Sequence, residues 1–281
     1  MMIVDKDFLV DLRRNAYIEC TENYLSSNTV LGIFGDDLPL DLFYACNLMP
    51  IPMEGVDSHI FKFGKEGEWS GYCDVIKSTL IYLTTQKCPI LYSCKMYVLQ
   101  NKCKRFIDTL KSQTEKPVLV YNNELGNENE LISSLCKVYG KQYDESLRQD
   151  AKADLNYIKN VLQQAKSSPL ITCQEFFLLE FYTQYMTNLK MRREYFEKLE
   201  KKLSLDAKDN TTKEQKEEAY IHEITAFCPR GCYEHICTEK DVQHNVECPK
   251  KEGCIRIKRT WDHAMYGYEH CPFSSEKKVS Y

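Results

Sequence analysis

Apolar residues recur near helical spacing from residue 5 to 25 (Phe8, Leu9, Leu12, Ala16, Cys20), which predicts a first helix. Thr29-Val-Leu-Gly-Ile-Phe34 is a short continuous apolar run and reads as a buried strand, followed by Gly35-Asp36-Asp37. Pro39 suits the first turn of a helix, where its missing N–H would be unpaired anyway. Leu40, Phe43, Tyr44 and Leu48 give that helix an apolar side. Met49 to Met53, carrying Pro50 and Pro52, predicts a short or edge strand. A polar, glycine-bearing stretch at 54–71 reads as a loop. A helix is expected at about 73–86 and a strand at Pro89–Ser93. Cys94 opens a helix reaching about Gln113, Pro117–Tyr121 forms a strand, and Glu128–Tyr139 forms a helix. Strands alternating with helices over short connections imply α/β architecture, with a parallel, doubly wound-type sheet.

Beyond residue 140 the period becomes wholly helical. Residues 145–166 form one helix. Thr172-Cys-Gln-Glu175 has the form of a capping box and opens another, apolar on most sides through Leu189. A charged helix follows to about Leu205. Residues 206–218 hold no aliphatic side chain larger than alanine and read as a linker. The expected organisation is an α/β domain at 1–140, a helical region at 141–205, the linker, and a Cys-rich tail at 219–281.

Composition narrows the functional classes. Of 281 residues, 43% are hydrophobic and 28% charged, and the formal net charge is −4. A general nucleic-acid binder needs the opposite balance, so the basic run Arg256-Ile257-Lys258-Arg259 reads as solvated surface. The charged first twenty residues contain no apolar secretory core. No run of about 18 apolar residues is available to span a membrane. A cytoplasmic location is the expectation, and thiols stay reduced there.

Fourteen cysteines then need an explanation. Cys20, Cys46, Cys88, Cys103, Cys136 and Cys173 fall mostly in apolar periodic segments and read as small buried hydrophobes. Cys73 and Cys94 each precede an expected helix, where partial positive charge favours a thiolate. Cys94 and Gly35 are both expected at the carboxyl edge of the sheet, the usual place for ligands in such folds. The tail gathers Cys228, Cys232, Cys237, Cys248, Cys254 and Cys271 among His222, His235, His244, His263 and His270. Zinc takes four Cys or His ligands and iron–sulfur clusters take mainly Cys. A tail so poor in aliphatic residues would need such a staple. Buried thiols and a redox disulfide are the competing readings. No dinucleotide fingerprint is present: Gly32-Ile-Phe-Gly35 lacks the third glycine.

The stretch Thr29-Val-Leu-Gly-Ile-Phe-Gly-Asp-Asp-Leu-Pro-Leu-Asp-Leu-Phe-Tyr-Ala-Cys-Asn-Leu-Met-Pro-Ile-Pro52, with Gly71-Tyr-Cys73 and Ile90-Leu-Tyr-Ser-Cys94, resembles the 2-hydroxyacyl-CoA dehydratase D-component family, related to benzoyl-CoA reductase subunits. The likeness runs over roughly residues 5–205. It implies a 4Fe–4S cluster held by Cys73, Cys94 and a third ligand, drawn here from Cys228, Cys232 or Cys237. It places Gly35, Asp36 and Pro39 on the substrate side. It also implies a second dehydratase-like subunit or a homodimer, and an ATP-dependent activator protein that supplies an electron. The function expected from it is radical dehydration of an acyl-CoA, or electron transfer. The alternative is a non-catalytic metalloprotein whose tail holds zinc or a cluster for binding or assembly.

Overall fold

The computed structural model describes residues 3–206 apart from 36, 56, 57, 66–68, 70, 71, 73, 102, 103, 123–126, 169 and 172. The chain opens with α1 (Lys6–Ser26), started by Asp5, whose carboxylate accepts the Phe8 N–H at 3.0 Å. That bond satisfies one of the donors left open at a helix start. Asn28, at φ +50°, turns the chain into β1 (Val30–Phe34), and the Asn23 side chain accepts the Thr29 N–H at 2.8 Å. The sequence then runs through α2 (Leu40–Ala45), β2 (Met49–Pro52), a 3-10 turn at Ser58–Phe63, α3 (Asp74–Thr85) and α4 (Pro89–Ser93). Next come β3 (Met96–Gln100), α5 (Lys104–Gln113), β4 (Val118–Tyr121) and α6 (Glu128–Tyr139). The helices α7 (Glu145–Ser167), α8 (Cys173–Tyr182) and α9 (Leu189–Asp206) follow, with a 3-10 turn at Thr183–Tyr185 between the last two.

The four strands form one parallel sheet in the order β2-β1-β3-β4. The chain steps one way from β1 to β2, then back across β1 to β3 and on to β4. Right-handed crossovers therefore throw helices onto both faces. Side-chain alternation along the strands follows this. Val30, Phe34, Tyr97 and Leu99 face the larger core, with residues of α1, α3, α4 and α5 and of α7 to α9. Leu31, Ile33, Met96 and Val98 face a smaller core that α2 and α6 supply. β1 is buried along its whole length, which is why it reads as an unbroken apolar run rather than an alternating one.

Two glycine positions answer to geometry. A Cβ on Gly32 would lie 2.7 Å from Tyr97 Cδ1 and 3.0 Å from Cys94 Sγ, so that ring and that sulfur approach the β1 backbone directly. Gly140, at φ +64°, ends α6 in the left-handed conformation and its N–H bonds back to the Cys136 carbonyl.

The parallel sheet followed by helices is the observed architecture, and three expectations are corrected. Residues 89–93 form α4, not a strand. Pro89 stands at the start of the helix after the extended N-cap Cys88, and a five-residue apolar run has too little length to distinguish the two periods. The strand lies further along at Met96–Gln100, inside the segment expected to be helical. The long apolar helix through Leu189 is interrupted by the 3-10 turn at Thr183–Tyr185. A metal-stabilised tail does not enter the fold class: the tail lies outside the described residues, and among those described no three His, Cys, Asp or Glu side chains are grouped to hold a metal ion. No helix of the described residues is long and apolar enough to cross a membrane.

Candidate functional site

The sheet has two edges that could carry chemistry. At the carboxyl edge, β1 and β3 are the neighbours from which the chain departs in opposite directions, the switch point where open α/β sheets usually bind ligands. Gly35 sits there at φ +122°. Its N–H donates to Oε1 of Glu54, a buried carboxylate just past β2, at 3.3 Å. The Asp37 N–H donates to Gln100 Oε1, also at 3.3 Å. A Cβ on Gly35 would come within 2.6 Å of Gln100 Cβ, so the Gln100 side chain fills the space beside the turn. Pro39 is the N-cap of α2, and Asp36 lies outside the described residues. Arg148 of α7 closes the flank, donating from Nε to Asp41 at 2.8 Å and from Nη2 to Glu128 at 3.1 Å. The Asp41 hydrogen bond holds the Arg148 pKa above its ordinary value. Among the described residues, these hydrogen bonds tie the strand ends of this edge to one another.

The amino edge is open. A cleft of about 700 Å³ lies between the ends of α1 and α3, α4, and the entries to β3 and β4. Tyr24 and Tyr92 stand on its walls with ring centroids 5.5 Å apart and planes at 59°. Both rings are substantially exposed, Tyr92 by 58%. Cys88, Cys94 and Tyr97 form part of the inner lining. Lys116 holds this end of the fold together. Its ammonium donates to the carbonyls of Leu91, Tyr92 and Cys94 at 2.9, 2.7 and 2.7 Å. Those carbonyls belong to the C-terminal end of α4, where no intrahelical donor remains. The Tyr97 hydroxyl donates to the same Leu91 carbonyl at 2.9 Å. Burial lowers the Lys116 pKa. The Asn28 amide lines the cleft too, and its oxygen has no hydrogen-bond partner among the described residues.

The sequence-derived metal site does not survive this geometry. Cys94 is the C-cap of α4, not the opening residue of a helix, and it precedes β3 at the amino edge. Gly35 and Pro39 are at the opposite edge. A helix C-terminus carries partial negative charge, which disfavours a thiolate. The Cys94 thiol is 1% exposed and donates to the Ile90 carbonyl at 3.0 Å. Burial, with Cys20 nearby, pushes its pKa well above the ordinary range. Burial likewise raises Cys88, and lifts Cys20 to about 12. These are protonated thiols, whereas metal ligation needs thiolates.

Cys73 lies outside the described residues, as do Cys228, Cys232, Cys237, Cys248, Cys254 and Cys271. With no metal-ligating group among the described residues, the 4Fe–4S cluster, the tail zinc, and the functions built on them are withdrawn.

Sequence reasoning missed Arg13 and Lys116. Arg13 is 8% exposed, and its guanidinium carbon lies 5.4, 5.7 and 5.9 Å from the ring centroids of Tyr17, Tyr82 and Tyr185. Its Nε has no hydrogen-bond partner among the described residues. The tyrosine π faces supply the electrostatic compensation for this buried cation. A signal was present: Arg13 falls four residues after Leu9 and three before Ala16, on the inward stripe of α1. Lys116 left no such signal, because its acceptors are backbone carbonyls more than twenty residues away.

No known family's sequence profile matches the chain, and the reading as an iron–sulfur dehydratase has no link to support it. No curated protein matches it either. The fold and site together define a parallel α/β protein with a tyrosine-walled cleft at the amino edge of its sheet.

Proposed function

We propose that the protein binds a small planar, aromatic molecule in the amino-edge cleft. The observation that carries the reading is the cleft itself: about 700 Å³ of space with Tyr24 and Tyr92 on its walls. That volume is within the range of pockets that enclose metabolite-sized ligands. Tyrosine rings pair a large apolar face with a polar tip, which suits them to stacking on a flat ligand. The lining is suited to holding a ligand rather than attacking it. Cys88 and Cys94 are protonated, and the Lys116 ammonium is committed to three carbonyls.

The test is calorimetric titration of the full chain with 2-naphthol, a planar donor-bearing probe, alongside cyclohexanol as a non-aromatic comparator. Saturable one-to-one binding of 2-naphthol, with cyclohexanol at least tenfold weaker, is the expected result. Gln113→Trp, which places a bulky ring among the lining residues, should weaken 2-naphthol tenfold or more while leaving Tm within about 2 °C. Equal affinity for the two probes, non-saturable uptake, or an unaffected Gln113→Trp variant would overturn the reading.

A further inference from the structure

The outer face of α1 carries apolar side chains that the core does not take up. The inward stripe of the helix is Leu9, Leu12, Arg13, Ala16 and Cys20. At about 100° per residue, Ile18 points directly away from Leu9, and it is 59% exposed. Leu25, one heptad further on, is 78% exposed, and Val10 is exposed as well. Apolar side chains gathered on the side opposite the core and rimmed by charge mark an interaction surface. The charge here is ordered. Arg14 lies four residues before Ile18 and Glu22 four after it, both exposed. Each stands about one turn from Ile18 and about 40° to the side, in opposite directions. Arg14 donates one N–H to Asp11 at 3.0 Å, and a guanidinium carries further donors.

We propose that this face binds a second copy of the chain: two α1 helices pack antiparallel about a two-fold axis at Ile18, each Arg14 ion-paired with the partner's Glu22. The charge pattern selects this occupant and this direction. The axis reverses height along the helix and side together. Arg14 of one copy therefore arrives at the height and on the flank where its partner carries Glu22, and the second pair forms by symmetry on the other flank. Ile18 meets the partner's Ile18 between them. A parallel pair would set Arg14 against Arg14 and Glu22 against Glu22, and like charges held together count against such an arrangement.

Crossing helices touch closely only around the point of nearest approach. The contact is thus centred on Ile18, and Leu25 falls toward its end, where the helices diverge. One helix from each copy gives an interface at the low end of specific contacts, below about 1,200 Å², so association is weak and concentration-dependent. The ion pairs lie at its solvent-facing rim. They fix orientation more than affinity, and added salt screens them. A two-fold contact uses the same patch on both copies and closes on itself, so assembly stops at the dimer.

The experiment is sedimentation equilibrium of the full chain over a concentration series from about 10 μM to about 1 mM, at low and at high salt. A monomer–dimer equilibrium that weakens with salt is the expected result. Arg14→Glu and Glu22→Arg, each of which sets like charges opposite one another, should each weaken it about tenfold, and the double charge swap should restore it to within about threefold. Ile18→Ser, an exposed change that leaves the fold intact, should also weaken it. A monomer at every concentration, growth beyond the dimer, or single variants that associate like the parent chain would overturn the proposal. So would a double swap that fails to recover, because the face would then be covered by something other than its own copy. None of these outcomes bears on the cleft, which is lined by other residues.

Discussion

The two edges of the sheet solve the same problem in opposite ways. Each must dispose of the strand ends and of the backbone groups where helices begin or stop. At the carboxyl edge the described residues do this with short-range side-chain bonds: Glu54 to Gly35, Gln100 to Asp37, and Arg148 to Asp41 and Glu128. These bonds occupy the described part of that rim. At the amino edge a single lysine gathers three carbonyls. One long side chain satisfies what several shorter ones do opposite, and space is left beside it. The usual location of function in parallel sheets is thus a tendency of topology. Whether a rim is open depends on which side chains fill it.

The largest expected effect probes how tightly the inner wall of the open edge is packed. Gly32→Val would drive a branched side chain into Tyr97 and Cys94, where even a single Cβ is too close. A loss of about 4 kcal/mol in urea unfolding is expected from overpacking a buried strand. A loss below about 1 kcal/mol would show that the wall yields and that the cleft is soft.

At the opposite edge, Arg148→Met removes two partly buried ion pairs while keeping the aliphatic stem. It should cost about 1–2 kcal/mol. An effect indistinguishable from zero would mean that the carboxyl rim is not held by this bridge, and the contrast between the edges would weaken.

The smallest effect is one of pH. Burial raises the Cys20 thiol from 9.0 to about 12. Between those values the unfolded chain ionises this thiol while the folded chain keeps its proton. The folded state therefore binds more protons, and stability falls as pH rises above 9. Cys20 alone should contribute a slope of up to about 1.4 kcal/mol per pH unit. Cys20→Ser should remove that share of the slope in unfolding measured from pH 8.5 to 10. An unchanged slope would place the alkaline limit elsewhere.

Much of the fold was legible as periodicity. The α6 boundaries coincide with the expected Glu128–Tyr139, and β1 appears where the apolar run predicted it. The misreading of residues 89–100 had a specific cause. Pro-Ile-Leu-Tyr-Ser and Met-Tyr-Val-Leu-Gln are both five-residue apolar segments. A strand and a single helical turn cannot be told apart over that length by spacing alone. Pro89 was the informative residue, because it suits the first position of a helix. Shifting the strand past Cys94 moved that cysteine from one edge of the sheet to the other and reversed the sign of the helix end beside it.

Local patterning was enough for the parallel α/β class, the helical region after residue 140, and the apolar stripe of α1 through Leu9, Leu12, Ala16 and Cys20. Those properties follow from local spacing and connection length. The packing of distant segments decided the protonation of Cys94, the binding of Lys116 to the end of α4, and the open cleft at the amino edge. Each depends on the distance between residues far apart in the chain, and on the exclusion of water that their packing brings. Neither is encoded in the order of neighbours along the backbone.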